Sequence, residues 1–181
     1  MFYRMIDDHL ALRLFTPHDA EEAYALIDAD REHLREYLNW VDAITSAEEE
    51  RQSLATFGAF NPERAINCFL TLDGAIIGAA GVIIINHPAQ WAEIGYWIGS
   101  GHEGRGYVTA AVRELERLSF IDLGLERVQI RVDVDNVRSR AVPERLGYTL
   151  EGVLRRTDIS GSGRIADFCM YSLLKPEWQA R

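Results

Sequence analysis

The stretch GHEGRGYVTAA, Gly101–Ala111, sets three glycines within six positions and then runs into good helix-forming sequence. Glycine costs conformational entropy on folding. A chain that concentrates it ahead of a helix needs either a tight strand-to-helix turn or a ligand seated against bare backbone. A helix start leaves N–H groups unpaired and carries the positive end of the helix dipole. Glycines let a phosphate approach those groups closely. The loop lacks the Lys-Ser/Thr ending of a P-loop, and its glycines at 101, 104 and 106 do not follow the dinucleotide spacing G-x-G-x-x-G. On the residues alone, a phosphate site and a plain turn stay equally open.

The surrounding pattern places this loop in a mixed fold. Ala11–Phe15 alternates as a strand. Thr16 and Pro17 then start a helix, with Asp19, Glu21 and Glu22 near its positive end. REHLREYLNW reads as a short second helix. Ser46 and Glu49 stand at capping-box spacing, so a third helix starts near Ala47 and its pattern runs toward Phe60. Two apolar runs flank Asp73-Gly74, a hairpin signal. WAEIGYWIG is a strand. The glycine loop and a helix through about Ile121 follow, with Val112, Leu115 and Leu118 on one face. RVQIRVDV is a strand, NVRSRAVPERLG a helical stretch, and YTLEGVLRR and RIADFCMYSLL are strands joined by an SGSG turn. The strand–loop–helix–strand unit over 91–132 predicts parallel neighbours. The fold class is α+β, a mixed α/β plan in one domain over residues 1–181.

Composition excludes several classes of function. The chain has 181 residues, 48% hydrophobic and 26% charged, which suits one soluble globular domain. AIIGAAGVIII is too short and glycine-rich to span a bilayer. The N-terminal sequence has no signal-peptide h-region. Cys68 and Cys169 form neither a CxxC motif nor a disulfide framework, so a cytoplasmic setting is expected. A net charge of −9 argues against nucleic acid and leans toward cationic partners. His9, His18, His33, His87 and His102 show no metal-ligand spacing, and no metal is expected.

GHEGRGYVTAA resembles the pyrophosphate-binding segment of the GNAT N-acetyltransferases, Arg/Gln-x-x-Gly-x-Gly/Ala. Gly104 and Gly106 match; Gly101 departs from the first position. EIGYWIG resembles the family's fourth strand. DVDNVRSRAVPERLGYTLEG resembles the Asn-x-x-Ser…Gly-Tyr/Phe segment of the branch that includes the RimL and RimJ ribosomal-protein N-terminal acetyltransferases. HLREYLNWVD and YSLLKPEW are similar to that branch as well, so the resemblance runs from about residue 10 to 178.

The resemblance implies a GNAT fold, a mainly antiparallel sheet splayed between its fourth and fifth strands and flanked by helices, with acetyl-CoA as co-substrate in the split. It implies that the backbone of Trp97, Ile98 and Gly99 pairs with the pantetheine arm. It implies that the N–H groups from His102 through Gly104, Arg105, Gly106, Tyr107 and Val108 hold the pyrophosphate, and that Thr109 adds a hydroxyl. Asn136, a helix cap by its own sequence context, would touch the arm. Ser139 would give a proton to the leaving thiolate. Arg105, Arg140 and Arg145 are candidates for the phosphates, and a solvated arginine is the alternative for each. Glu93 and Asp158 are the candidate bases, against the alternative that both are strand acids facing solvent. Pro143 removes an N–H from its helix, so that helix starts late, nearer Arg140, or is kinked. Tyr37, Trp40, Phe60 and Tyr171 are candidate walls of an acceptor pocket.

The function implied is direct acetyl transfer to a primary amine, foremost a protein N-terminus such as that of a ribosomal protein. A small amine (a polyamine or an aminoglycoside) is the second reading. A coenzyme A-binding module without turnover is the third, and a phosphate-binding domain unrelated to coenzyme A the fourth. A homodimer is an expectation of the same branch.

Overall fold

The computed structural model describes residues 3–57 and 60–181. An eight-stranded sheet runs in the order β1-β2-β3-β4-β5-β6-β8-β7. Its strands are β1 (Tyr3–Met5), β2 (Leu10–Leu14), β3 (Ile66–Leu72), β4 (Ala75–Asn86), β5 (Trp91–Ile98), β6 (Arg127–Asp133), β7 (Thr149–Ile159) and β8 (Ile165–Leu174). Every neighbouring pair is antiparallel except β5 and β6, which are parallel as their intervening loop and helix require. The helices are α1 (Ala20–Ala29), α2 (Arg31–Leu34), α3 (Ala47–Phe57), α4 (Tyr107–Arg117), α5 (Val137–Arg145) and α6 (Lys175–Gln179).

Local chemistry explains most of these boundaries. Asp73 and Gly74 take φ of 50° and 88°, the paired positive angles of a type I′ hairpin turn. Thr16 caps a single 3₁₀ turn, Pro17–Asp19, that leads into α1. Ser46 Oγ accepts the Glu49 N–H at 3.2 Å and starts α3 at Ala47; the expected extension through Gly58 and Ala59 lies outside the described residues. β1 has no periodic signal and was not expected. It pairs with β2 at Tyr3↔Arg13 through Met5↔Ala11. The second expected helix shrinks to the four residues of α2.

The main core lies between the sheet and the helices α4 and α5. β6 shows how the sheet divides its faces. Val128, Ile130 and Val132 point into that core, whereas Arg127, Gln129 and Arg131 alternate onto the opposite face. From α4, Ala111, Val112 and Leu115 are fully buried against it, joined by Leu118 in the π-helical turn Leu118–Asp122. Each such burial contributes roughly 1.5–3 kcal/mol for a large aliphatic side chain. Helices α1 and α3 cover the other face over β3 and β4 with Ala20, Ala23 and Leu54.

The glycines of the loop before α4 are not equivalent. Gly104 and Gly106 have φ of 70° and 82°, and Gly106 is the left-handed N-cap of α4. Gly101 has no positive φ, and a Cβ there would meet no neighbouring atom within 4 Å. Gly106→Ala is therefore expected to lower unfolding stability by about 1–2 kcal/mol. Gly101→Ala should stay within about 0.5 kcal/mol of the unaltered protein, read by denaturant titration.

Glu50, in α3, is only 5% exposed, and burial pushes its carboxyl up from 4.5 to about 7. The fold thus favours the protonated form. The stability this confers is complete below pH 4.5 and is lost as pH rises through about 7. Glu50→Gln is expected to leave stability near pH 4.5 unchanged and to raise it by about 2–3 kcal/mol at pH 8. Urea melts at the two pH values check this; an equal effect at both would contradict it.

Candidate active site

The site begins where two strands part. β5 and β6 pair over only three residue pairs, Trp91↔Arg127, Ala92↔Val128 and Glu93↔Gln129. β5 then continues beside β4 to Ile98, and β6 beside β8 to Asp133. Past Glu93, no strand among the described residues lies beside the inner edge of β5. The Gly99 N–H donates to the Ile77 carbonyl at 2.9 Å. The Trp97 carbonyl also lies against β4, 2.3 Å from where a Cβ on Gly78 would stand. Main-chain groups of an antiparallel strand alternate between its two edges in residue steps. Tyr96 and Ile98 therefore aim theirs into the gap. Of the three residues expected to pair with a pantetheine arm, Ile98 alone turns its main-chain groups to the gap. Trp97 and Gly99 do not, because their polar backbone is committed to β4. The Trp97 ring instead packs on Trp40 at a centroid distance of 5.9 Å.

The glycine loop closes the end of this gap, and side chains moor it from two directions. Asp30 accepts the Ser100 N–H at 2.6 Å and its hydroxyl at 2.7 Å. Glu103 pairs with His33 at 3.0 Å and Arg138 at 2.7 Å. The N–H of His102 is spent on the Gly99 carbonyl at 2.9 Å and that of Glu103 on Ser100, so His102 drops out of the expected donor set. Gly104, Arg105, Gly106, Tyr107, Val108 and Thr109 present N–H groups with no protein acceptor among the described residues. The first helical bond of α4 comes only at Ala110, to Gly106. The Arg105 side chain is exposed. Thr109 is buried, and its Oγ1 accepts from Arg145 Nη1 at 3.1 Å, which places Arg145 beside the first turn of α4. Arg140 is committed elsewhere. It donates to the Tyr171 hydroxyl at 3.2 Å and the Val134 carbonyl at 3.0 Å, which makes it part of the frame and not a free phosphate ligand.

Helix α5 starts at Val137 and contains Pro143, so the late start near Arg140 does not occur. Asn136 caps it, its side-chain oxygen accepting the Ser139 N–H at 3.0 Å. The helix bridges the two halves of the sheet, from β5 to β8. Tyr96 of β5 donates its hydroxyl to the Ser139 carbonyl at 2.9 Å. Tyr171 of β8 donates to Glu144 at 2.6 Å. Tyr171 is 1% exposed within the core and so is no pocket wall.

On the opposite face, both candidate bases converge on one cation. Glu93 is buried and accepts from Arg131 Nε at 2.9 Å and Gln129 at 2.9 Å; Arg131 also reaches Asp158 at 3.4 Å. Asp158 lies within β7, beside the register shift between Leu154 and Asp158. Arg164 is likewise shared by Asp133 at 2.8 Å and Asp135 at 3.2 Å. Two guanidiniums thus serve four carboxylates, leaving a formal excess of two negative charges. The segment after α2 reaches across to these strands. Tyr37 donates to the Asp135 carbonyl at 3.3 Å, and Asn39 to the Ile159 carbonyl at 2.9 Å. Gly161 lies so close beneath it that a Cβ would stand 2.0 Å from the Arg35 carbonyl. Tyr37 thus lies over these strands, Trp40 packs on Trp97, and Phe60 is half exposed.

The side chains of Asp30, Glu103 and Arg131 join the site without being among its sequence candidates. Glu103 carried a signal. An acid inside a loop suited to anions must be engaged by cations, and His33 and Arg138 do this. Asp30 and Arg131 act through partners 70 and 38 positions away and left no local trace.

Comparison with known proteins agrees with this geometry. The family model described as an acetyltransferase (GNAT) domain matches residues 9–149. The YdaF protein of Bacillus subtilis (strain 168), provisionally named a ribosomal N-acetyltransferase, is 35% identical, covering 99% of this chain and 98% of its own. A crystal structure of a probable acetyltransferase superposes with a TM-score of 0.92 at 36% identity, over 98% and 99% of the two chains. The microcin C7 self-immunity acetyltransferase MccE, solved in complex with acetyl-CoA and AMP, superposes with a TM-score of 0.86 at 30% identity, over 93% and 94%. With its fold, its parted strands and its family match in agreement, the chain belongs to the GNAT N-acetyltransferases.

Proposed function

We propose that this protein transfers an acetyl group from acetyl-CoA directly to a primary amine, with a protein N-terminal α-amine as the acceptor. The observation that carries the reading is the inner edge of β5 leading into a loop with six consecutive N–H groups, edge and loop both without a partner among the described residues. An extended amide-bearing arm can pair with the edge, and a pyrophosphate suits the loop at the positive end of α4. Thr109, Arg145, Arg105 and Asn136 stand around that path as further contacts. MccE, similar over most of its length, was solved with acetyl-CoA.

The chemistry needs no covalent enzyme intermediate. Both cysteines are buried, and burial pushes the Cys68 thiol up to about 12. The neutral amine nitrogen attacks the thioester carbonyl carbon, forming the C–N bond and a tetrahedral oxyanion. The gap-facing N–H of Ile98 is placed to stabilise that oxygen. The oxyanion collapses, the C–S bond breaks, and the Ser139 hydroxyl gives a proton to the thiolate and takes one back from water. The amine proton leaves through water toward Glu93 or Asp158. Both carboxylates already engage Arg131, so a relay fits them better than direct abstraction.

The acceptor class rests on charge and on proton arithmetic. The carboxylate excess beneath the 31–44 segment favours an ammonium group over an anion. At neutral pH roughly a tenth of α-amines are already neutral, against fewer than about one in a thousand lysine amines, so an N-terminal acceptor asks little of a relayed base. The provisional name of YdaF points the same way. A cytoplasmic site of action fits such an acceptor.

Mass spectrometry tests the reading directly. The protein and acetyl-CoA would be incubated with peptides bearing free N-terminal Ser or Ala, N-blocked lysine peptides, polyamines and aminoglycosides. Acetylation confined to free N-termini is the expected outcome. Acetylation of a polyamine or aminoglycoside would replace the acceptor class, and binding of acetyl-CoA with no acetylated product would contradict the transferase reading.

A further inference from the structure

The contact between β5 and α5 has a feature that helix geometry alone does not produce. In an α-helix the carbonyl of residue 139 accepts the N–H of residue 143. Residue 143 is proline, which has no N–H. The Ser139 carbonyl is thereby released from the helical ladder, and the Tyr96 hydroxyl fills the vacancy at 2.9 Å. A tyrosine hydroxyl has one proton. With that proton committed to the carbonyl, Tyr96 can only accept from the Ser139 hydroxyl, which approaches it at 3.3 Å. That is long for a hydroxyl pair, whose usual range ends near about 3.0 Å.

We propose that Tyr96 and Pro143 act together as a positioning pair. The proline frees the Ser139 carbonyl, the tyrosine pins it to β5, and the Ser139 hydroxyl is thereby set at the gap without being locked. The firm bond is to the backbone and the weak one to the side chain. The residue is held in place, yet its hydroxyl can turn to a developing thiolate at little cost. Burial pushes the Tyr96 phenol well above its ordinary value, so it stays a donor across the physiological range. Tyr96 lies on the β5 residue whose backbone also faces the gap, so the same strand aligns the thioester and the proton donor. This inference rests on the transfer reading above and assigns Tyr96 a role beyond filling the core.

A double-mutant cycle of Tyr96→Phe and Pro143→Ala tests it. Tyr96→Phe strands the buried carbonyl, and a loss of about 3–8 °C in melting temperature is expected. Pro143→Ala supplies a helical N–H to that carbonyl, so most of the loss should vanish when Tyr96→Phe is made in the Pro143→Ala background. Turnover should not follow stability. With acetyl-CoA and a peptide bearing a free N-terminal serine, Tyr96→Phe is expected to lower kcat tenfold or more in both backgrounds, with KM for acetyl-CoA within about twofold. A wild-type kcat in Tyr96→Phe would overturn the proposal. So would an equal melting-temperature loss in both backgrounds, or a rise in KM matching the fall in kcat. Absence of thiol release by the unaltered protein would instead count against the transfer reading, and the melting cycle would still judge the hydrogen bond.

Discussion

The parting of β5 from β6 after three residue pairs is the constraint on which the rest of the structure depends. Each strand has a stronger commitment elsewhere, β5 to β4 through Ile98 and β6 to β8 through Asp133. Sheet twist carries those two commitments apart. A strand edge left open inside a protein exposes N–H and C=O groups that must find partners. Here the edge is kept open by bridges and not by emptiness. Helix α5 is tied to β5 through Tyr96 and to β8 through Tyr171, while Arg131 ties Glu93 of β5 to Asp158 of β7 on the other face. The gap is a built feature, and its width is set by side chains from both halves.

The glycine loop depends on the same frame. Its donors point outward only because other groups hold the loop in place. Asp30 fixes Ser100, and Glu103 links α2 through His33 to α5 through Arg138. The loop that offers these donors is thereby linked to both α2 and α5.

Much of this was legible in the sequence, for reasons that differ by element. Turns and caps are local. The positive φ angles of Asp73-Gly74, the Ser46 cap of α3 and the buried face of α4 follow from neighbouring residues alone. The parallel β5–β6 pairing follows from the connection between them. A place for the cofactor and a role for Ser139 were suggested by the resemblance alone, because spacing could reach neither. What stayed hidden is long-range. The edge to which Ile98 and Gly99 aim their backbone depends on the register with β4, which no local pattern encodes. Arg140 reads as a free cation until Tyr171 and the Val134 carbonyl are seen to claim it, and Tyr171 reads as a pocket aromatic until its strand is seen inside the core. β1 is three residues long and carries too little pattern to be noticed.

Backbone amide exchange across residues 94–110, with and without coenzyme A, shows whether the open edge and the loop take up the cofactor. Coenzyme A is expected to slow exchange at Ile98 and at Gly104 through Thr109, whose N–H groups have no acceptor among the described residues. No change is expected at Gly99 and His102, whose N–H groups are already bonded to Ile77 and Gly99. Unchanged exchange at Gly104 through Thr109 in protein saturated with coenzyme A would show that the loop does not hold the pyrophosphate.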